Sequence, residues 1–461
     1  MPALCDHIIL ASHIVTQNDA RTIIHDGAII VDSGRIIAMG ERKEILPHWA
    51  ALKTSDLGYC LVTAGLVNAH THAAMTLLRG LADDLPLMDW LTKHIFPVEQ
   101  GLSSELVELG TMLGCAEMMR TGTTAFSDMY IIEDAVINAV SKTGMRALVG
   151  EGIFAFPSAA YANEAEAFAL VQEQLNRWQN HPRISIAMAP HAVYTSNPDL
   201  LSHCASFAKE HNMPIHMHLA ETATETAQCL EMFGKRPIPY AHDLGLLTPN
   251  TTLAHCVDLV GSEDTSPNEG ASPNEGASLN EDEISLLADC GVVVAHNPKS
   301  NMKLASGAAR IPDMLAKNVC VALGTDGAAS NNSLNMFTEM STCALLHKVT
   351  AMDPTATPAQ AVFDMATRNG ARALHCPDIG ILEVGKQADI IGIDLNAPNL
   401  MPLYNEVSHL VYAASGHENK FTMVAGEVLY HDGVYTHIDM RTLSYELMKA
   451  RDWALGQLRK L

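Results

Sequence analysis

Leu61-Val62-Thr63-Ala64-Gly65-Leu66-Val67-Asn68-Ala69-His70-Thr71-His72 is an apolar run that ends in His-x-His. In a strand, side chains alternate between two faces, so His70 and His72 point the same way. Two imidazoles on one face at a strand end can grip one metal ion. Two unrelated histidines at a strand edge would look the same, and this chain has 22 histidines. What lies on either side of the run decides between these readings.

Downstream of Gly65, apolar strand-like runs alternate with amphipathic stretches. Strand candidates are 64–70, 123–129, 146–154, 184–190, 214–219, 251–256, 292–296 and 319–324. One intervening helix is plain: Ser103 can cap it, Glu105 and Glu108 sit near its start, and Thr121-Gly122 ends it. Eight strand–helix repeats predict an α/β fold, a (β/α)8 TIM barrel. A doubly wound sheet is the alternative, but no Gly-x-Gly-x-x-Gly turn follows the first strand. Upstream, His7–Val15, Arg21–Val31 and Arg35–Met39 read as short strands, with Asp26-Gly27 and Ser33-Gly34 as turn dipeptides. The β-like pattern returns at Gly385–Asp394 and Phe421–Tyr430, and Thr442–Leu458 reads as a terminal helix. The expected organisation is a discontinuous β-sandwich domain, 1–63 with 376–461, around a barrel over 64–375. One segment fits neither pattern. Ser266–Glu283 holds Ser-Pro-Asn-Glu-Gly-Ala twice, and then Ser-Leu-Asn-Glu-Asp-Glu. It reads as a polar surface insertion over 262–283.

Composition excludes several classes. Nearly half the residues are apolar, which excludes a disordered chain. A net charge of -23 opposes binding to nucleic acid. No apolar run of about 18 residues predicts a membrane span, and no leader is visible, so a cytoplasmic location is expected. The ten cysteines form no Cys-x-x-Cys pair and read as buried small hydrophobes.

Barrel enzymes carry their chemistry at the C-terminal ends of the strands. Here those ends hold His70 and His72, His191, His216 and His218 with Glu221, His255, and Asp326. Three histidines and an aspartate make an open shell for one divalent ion, zinc or iron. Such an ion lowers the pKa of a bound water, and a neighbouring carboxylate can then move protons. Glu221 is the candidate shuttle, and His255 and Asp326 could accept a proton from the water. His216 reads as a deeper, hydrogen-bonded core residue. His296 reads as a loop-shaping residue, and His94, His181, His211 and His347 as exposed.

Together these motifs resemble the amidohydrolase superfamily, in its deaminase and chlorohydrolase branch. The resemblance rests on Gly65–His72, His218-Leu219-Ala220-Glu221-Thr222, His296-Asn297-Pro298 with Ser300-Asn301, and Gly324-Thr325-Asp326-Gly327. Within that branch, Leu85-Pro86-Leu87, Trp90-Leu91 and Phe96-Pro97-Val98-Glu99 are similar to the 5'-methylthioadenosine/S-adenosylhomocysteine deaminases. The resemblance implies that His70, His72, His218 and Asp326 hold the metal. It implies that Glu221 protonates the purine ring nitrogen and that His255 with Asp326 activates the water. Glu99 would bind the ribose hydroxyls, and His191 and Trp90 would contact substrate. The expected reaction turns 5'-methylthioadenosine, S-adenosylhomocysteine or adenosine into the inosine analogue plus ammonia. Guanine, an oxidised purine or a triazine remains an alternative substrate, and a non-catalytic scaffold the alternative of another class. A homo-oligomer is expected. One departure stands out. Many members carry an arginine shortly after the Gly-Met-Arg of the third strand, and here Glu151 falls at that place after Gly144-Met145-Arg146. Glu151 is therefore expected to face the substrate's tail.

Overall fold

The computed structural model describes residues 2–261 and 282–459. Eighteen strands are formed among them. The first five are β1 (Ala3–Val15), β2 (Ile23–Asp32), β3 (Arg35–Glu41), β4 (Trp49–Asp56) and β5 (Cys60–Ala64). The next nine are β6 (Leu66–Thr71), β7 (Thr123–Tyr130), β8 (Arg146–Ile153), β9 (Ile184–Ile186), β10 (Ala189–Pro190), β11 (Ile215–Leu219), β12 (Thr251–His255), β13 (Val293–His296) and β14 (Cys320–Leu323). The last four are β15 (Ile390–Asp394), β16 (Asn419–Val424), β17 (Glu427–His431) and β18 (Val434–Tyr435).

Both chain ends build one nine-stranded sheet, in the order β18-β17-β16-β15-β5-β1-β2-β3, with β4 paired to β1. Its own core holds Ile9, Ile14, Ile29, Val62, Ile390 and Phe421. Ser33 and Gly34 turn the chain between β2 and β3, both with positive φ (50° and 78°), as a two-residue hairpin turn demands. Asp26-Gly27 is not a turn. It lies inside β2, where Gly27 pairs with Ala11, and the β1–β2 connection is made farther upstream. The dipeptide signal was overridden by ladder pairing on both sides of it.

The middle of the chain is mixed α/β, with every ladder parallel. One sheet runs β10-β8-β7-β6, with β9 on β8, and the other runs β11-β12-β13-β14. Each of the eight expected segments carries strand, the fourth in two pieces, β9 and β10. Backbone bonds tie the two sheets together at both margins. His216 N–H donates to Met188 O at 3.0 Å, and Thr325 and Asp326 N–H donate to His70 O at 3.1 and 3.0 Å. Gly65 marks the switch from β5 to β6, and a Cβ there would run into the Thr124 side chain. The helix after Ser103 spans Ser104–Arg120, and the Ser103 hydroxyl accepts from Leu106 N–H. The terminal helix, Met440–Leu458, starts two residues before the expected one because Asp439 caps it.

A buried ion pair joins the parallel strands to the nine-stranded sheet. Arg146 on β8 donates to Asp389 at 3.0 and 3.2 Å, and Asp389 also accepts from Ala425 N–H at 2.7 Å. The repeat insertion expected over 262–283 lies outside the described residues except at its end, and there the expectation fails. Asp282 caps the helix Glu283–Cys290. Glu283 is buried, accepting from Val260 N–H at 2.7 Å and Arg236 Nε at 3.0 Å. A composition rich in Glu hides an acid that has a buried cation to meet. All ten cysteines are free thiols.

Candidate active site

The His-x-His of β6 does place both imidazoles on one side, ring centroids 4.9 Å apart. His218, at the end of β11, joins them, so that one donor atom from each of the three lies within 4.8 Å of the others. Their hydrogen bonds decide which nitrogen is free. His218 Nδ1–H donates to His191 O at 2.9 Å, and His72 Nδ1–H donates to Met129 O. In the neutral rings both Nε2 atoms then carry the lone pair, and they face each other 3.3 Å apart. His70 Nε2 is buried without a hydrogen-bond partner. Lone pairs aimed at one another repel unless a cation lies between them. Backbone carbonyls that orient the far ring nitrogen are how metal-binding histidines are held. The three side chains thus fit a divalent ion. Asp326 Oδ1 stands 3.2 Å from His72 Nε2 and 3.6 Å from His70 Nε2. Burial pushes its carboxyl pKa up, but the two imidazoles outweigh that and hold it well below the usual range. Ser300 and Ser330 hydroxyls donate to its other oxygen at 2.6 and 2.8 Å.

His216 lies beneath, as expected of a core residue. One ring nitrogen meets His70 Nδ1 at 3.0 Å and the other meets the Ser127 hydroxyl at 2.9 Å. His347 corrects the reading of it as exposed. It is fully buried, Nε2 to Nε2 with His296 at 2.9 Å. Its helix, Met336–Ala351, packs that turn inward, which single-residue polarity does not reveal.

Above these side chains lies a cavity whose lining includes His72, Glu99, His191, His218, Glu221, His255 and Asp326, with Trp90 in its wall. The rest of the lining is mainly apolar: Met75, Leu87, Leu91, Phe96, Met129, Ile131, Phe154 and Leu304. Glu221 is pushed above the usual carboxyl pKa by burial, partly offset by His255. Its Oε1 is 3.9 Å from His255 Nδ1. His255 Nδ1 is 2.8 Å from Asn301 Oδ1, an acceptor, which leaves Nε2 with the lone pair. Glu99 Oε1 accepts from the Tyr130 hydroxyl at 2.6 Å, and the Trp90 indole N–H is held by Ala82 O at 3.1 Å.

The structure does not bring Glu151 to this cavity, and the expectation for it is corrected. Glu151 is fully buried, and its two oxygens accept the N–H groups of Ile132 (3.0 Å) and Glu133 (2.8 Å). Burial lifts its pKa to about 7. Glu133 in turn accepts from Tyr130 N–H at 2.5 Å. The loop after β7 is thus cradled by two carboxylates, with Ile132 in the left-handed region at φ 60°. The loop after β11 is held in the same way. Glu225 accepts from Glu221 N–H at 2.7 Å and Ala220 N–H at 3.1 Å. Glu133 and Glu225 were missed at the sequence level because an acid in a helix's first turn is usually explained by the helix dipole alone. Strain gathers here too. Ala220, His255, Cys256 and Asp326 all have positive φ, between 47° and 77°, a conformation that needs such support.

The Amidohydrolase family profile matches residues 61–429. The chain belongs to the amidohydrolase family. Like its family and relatives, it is a hydrolase acting on carbon–nitrogen bonds. It is 61% identical to a 5-methylthioadenosine/S-adenosylhomocysteine deaminase from Nitratidesulfovibrio vulgaris Hildenborough, over 100% of this chain and 99% of the relative. It is 49% identical to a protein of that name from Lawsonia intracellularis, over the whole of both. A crystal structure of an adenosine deaminase from Xanthomonas campestris with bound zinc superposes with a TM-score of 0.92 at 38% identity, covering 99% of this chain and 100% of that one. Among the described residues of this amidohydrolase, no helix is long and apolar enough to cross a membrane.

Proposed function

We propose that this chain is a metal-dependent deaminase of adenine nucleosides, 5'-methylthioadenosine foremost, releasing ammonia and the inosine analogue. The observation that carries the reading is the convergence of bare imidazole lone pairs under an apolar cavity that also holds Glu221 and His255. The relatives' activity supports it. Zinc is the ion proposed, held by His70, His72 and His218 with Asp326 beside them, as the neighbour's zinc suggests. Bound there, a divalent ion supplies Lewis-acid activation of water.

The side chains do the rest. Burial keeps Glu221 protonated to higher pH than an exposed glutamate, so it can deliver a proton to the ring nitrogen beside the amino-bearing carbon. His255, its Nδ1–H committed to Asn301, offers Nε2 to take a proton from the attacking water, with Asp326 alongside. Glu99, with one oxygen on Tyr130, keeps the second for a ribose hydroxyl. Trp90, Phe96 and Phe154 enclose the ring and exclude water, and His191, held by Thr195 at 3.0 Å, bounds the substrate from the other side.

The architecture we propose around this site is a closed (β/α)8 barrel over residues 64–375. The bonds of His70 O to Thr325 and Asp326 support closure. The flanking segments, 1–63 and 376–461, would form one discontinuous β-domain. Ammonia release from 5'-methylthioadenosine, S-adenosylhomocysteine, adenosine and guanine, with metal analysis of the same sample, tests the reading. Turnover of the adenine nucleosides with about one ion per chain is expected. Ammonia from guanine alone, or a metal-free active protein, would overturn it. Adenosine itself is the second reading, favoured by the name of the zinc-bound neighbour.

A further inference from the structure

We propose that His13, His25 and Glu406 form a second divalent-metal site, on the outer sheet and separate from the catalytic cavity. His13 and His25 stand directly opposite each other in the antiparallel β1–β2 ladder, ring centroids 5.1 Å apart. Glu406 opens the short helix Glu406–Ser408, which follows β15 by some distance in sequence. One donor atom from each of the three lies within 4.8 Å of the others. Two imidazoles and a carboxylate form a donor set that zinc accepts in open sites, the remaining positions falling to water.

The hydrogen bonds around His13 preset it as a ligand. The Ser12 hydroxyl has one proton, and it donates that proton to Cys60 O at 2.9 Å. Its oxygen can therefore only accept from the nearby ring, so the 2.9 Å contact is His13 Nδ1–H donating to Ser12 Oγ. Nε2 is left with the lone pair. A far ring nitrogen tied down by a second neighbour is the arrangement that orients metal-binding histidines. Burial lowers the His13 pKa, against the pull of Glu406, which keeps the ring in its neutral, ligating form near pH 7.

A plain ion pair would look different. Among the described residues, no hydrogen bond or ion pair joins Glu406 to either imidazole. The three donors gather around one point without pairing directly. His25 is exposed and Glu406 half-buried, so both side chains have room to move in by the ångström or so that donors about 3.4 Å apart around a tetrahedral ion require. An ion here would fasten the β1–β2 hairpin to the segment that begins at Glu406, two parts of the chain that no covalent neighbour joins.

The test is zinc titration of the holoenzyme by calorimetry, its catalytic ion already in place and verified by metal analysis. Wild type should take up one further equivalent per chain, and its melting temperature should rise with zinc. His25→Ala and Glu406→Gln, both away from the catalytic cavity, should weaken that step about tenfold or more. Their catalytic ion and deaminase rate should be unchanged. Saturation at the catalytic equivalent alone would overturn the proposal. So would a further equivalent that both variants retain with wild-type affinity, since that would be zinc on other surface histidines.

Discussion

Glu221 shows how one residue's setting chooses its chemistry. Its carboxyl is buried beside His255 and lifted in pKa, while Asp326, in the lining of the same cavity, is held well below the usual range by His70 and His72. Two acids pushed in opposite directions suit the two roles proposed for them: one to hold a proton to give, the other to stay ionised for a cation. Glu221→Gln keeps the shape but has no proton to transfer. It should lower kcat by about two orders of magnitude or more with KM and metal content little changed. Steady-state kinetics on 5'-methylthioadenosine checks this, and a near-wild-type kcat would mean that another group carries the proton.

At the scale of the element, the loops at the strand ends are fixed by buried acids from neighbouring segments. Glu151 and Glu133 hold the turn that carries Met129 O onto His72 and Tyr130 onto Glu99. Glu151→Gln would turn an amide N–H₂ toward one of two backbone donors, leaving a buried group unsatisfied at a cost of about 1–3 kcal/mol. The expected outcome is a lower urea midpoint, with a raised KM because Tyr130 no longer steadies Glu99. An unchanged midpoint would show that the cradle relaxes freely. Glu151→Arg should not create a receptor for a substrate carboxylate. It would bury a cation where two N–H groups point, and the purified variant should melt well below wild type.

The whole molecule sets two further properties. Glu151 and Glu225 are lifted by burial to about 7 and about 8. In the unfolded chain both return to the ordinary range near pH 4.3. The folded state therefore binds more protons between these values. Stability from these groups is full below about pH 4.3 and is lost as pH rises through 7 to 8. Melting temperature should fall between pH 6 and pH 9, and less so in Glu225→Gln; a rise over that window would contradict the assignment. The lining of the cavity as a whole also bears on substrate choice. Among the described residues its lining holds no Lys or Arg, and its carboxyl groups are Glu99, Glu221 and Asp326. A homocysteine carboxylate finds no cation there, whereas a methylthio group meets apolar side chains. The ratio of kcat/KM for 5'-methylthioadenosine over S-adenosylhomocysteine should be about tenfold or more, about 1.4 kcal/mol. Equal efficiencies would point to a cation from outside this lining.

What the sequence determined by itself is what periodicity and local chemistry encode. Alternation made His70 and His72 neighbours, strand–helix repeats gave the parallel α/β middle, and Ser103 marked a helix start that the backbone obeys. The tertiary structure alone decided which acids face the cavity. In sequence Glu133, Glu225 and Glu283 look like solvated helix-end glutamates, and Glu151 like a strand residue free to face the cavity. Glu133 and Glu225 accept N–H groups three and four residues back, which only the folded turn aims at them, whereas Glu151 meets Glu133 N–H and Glu283 meets Arg236 from segments farther along the chain. His347 and His296 likewise found each other across 51 residues. A buried polar group must be paired, and for Glu151, Glu283, His296 and His347 the partner is chosen by the packing of separate segments, which no short window of sequence contains.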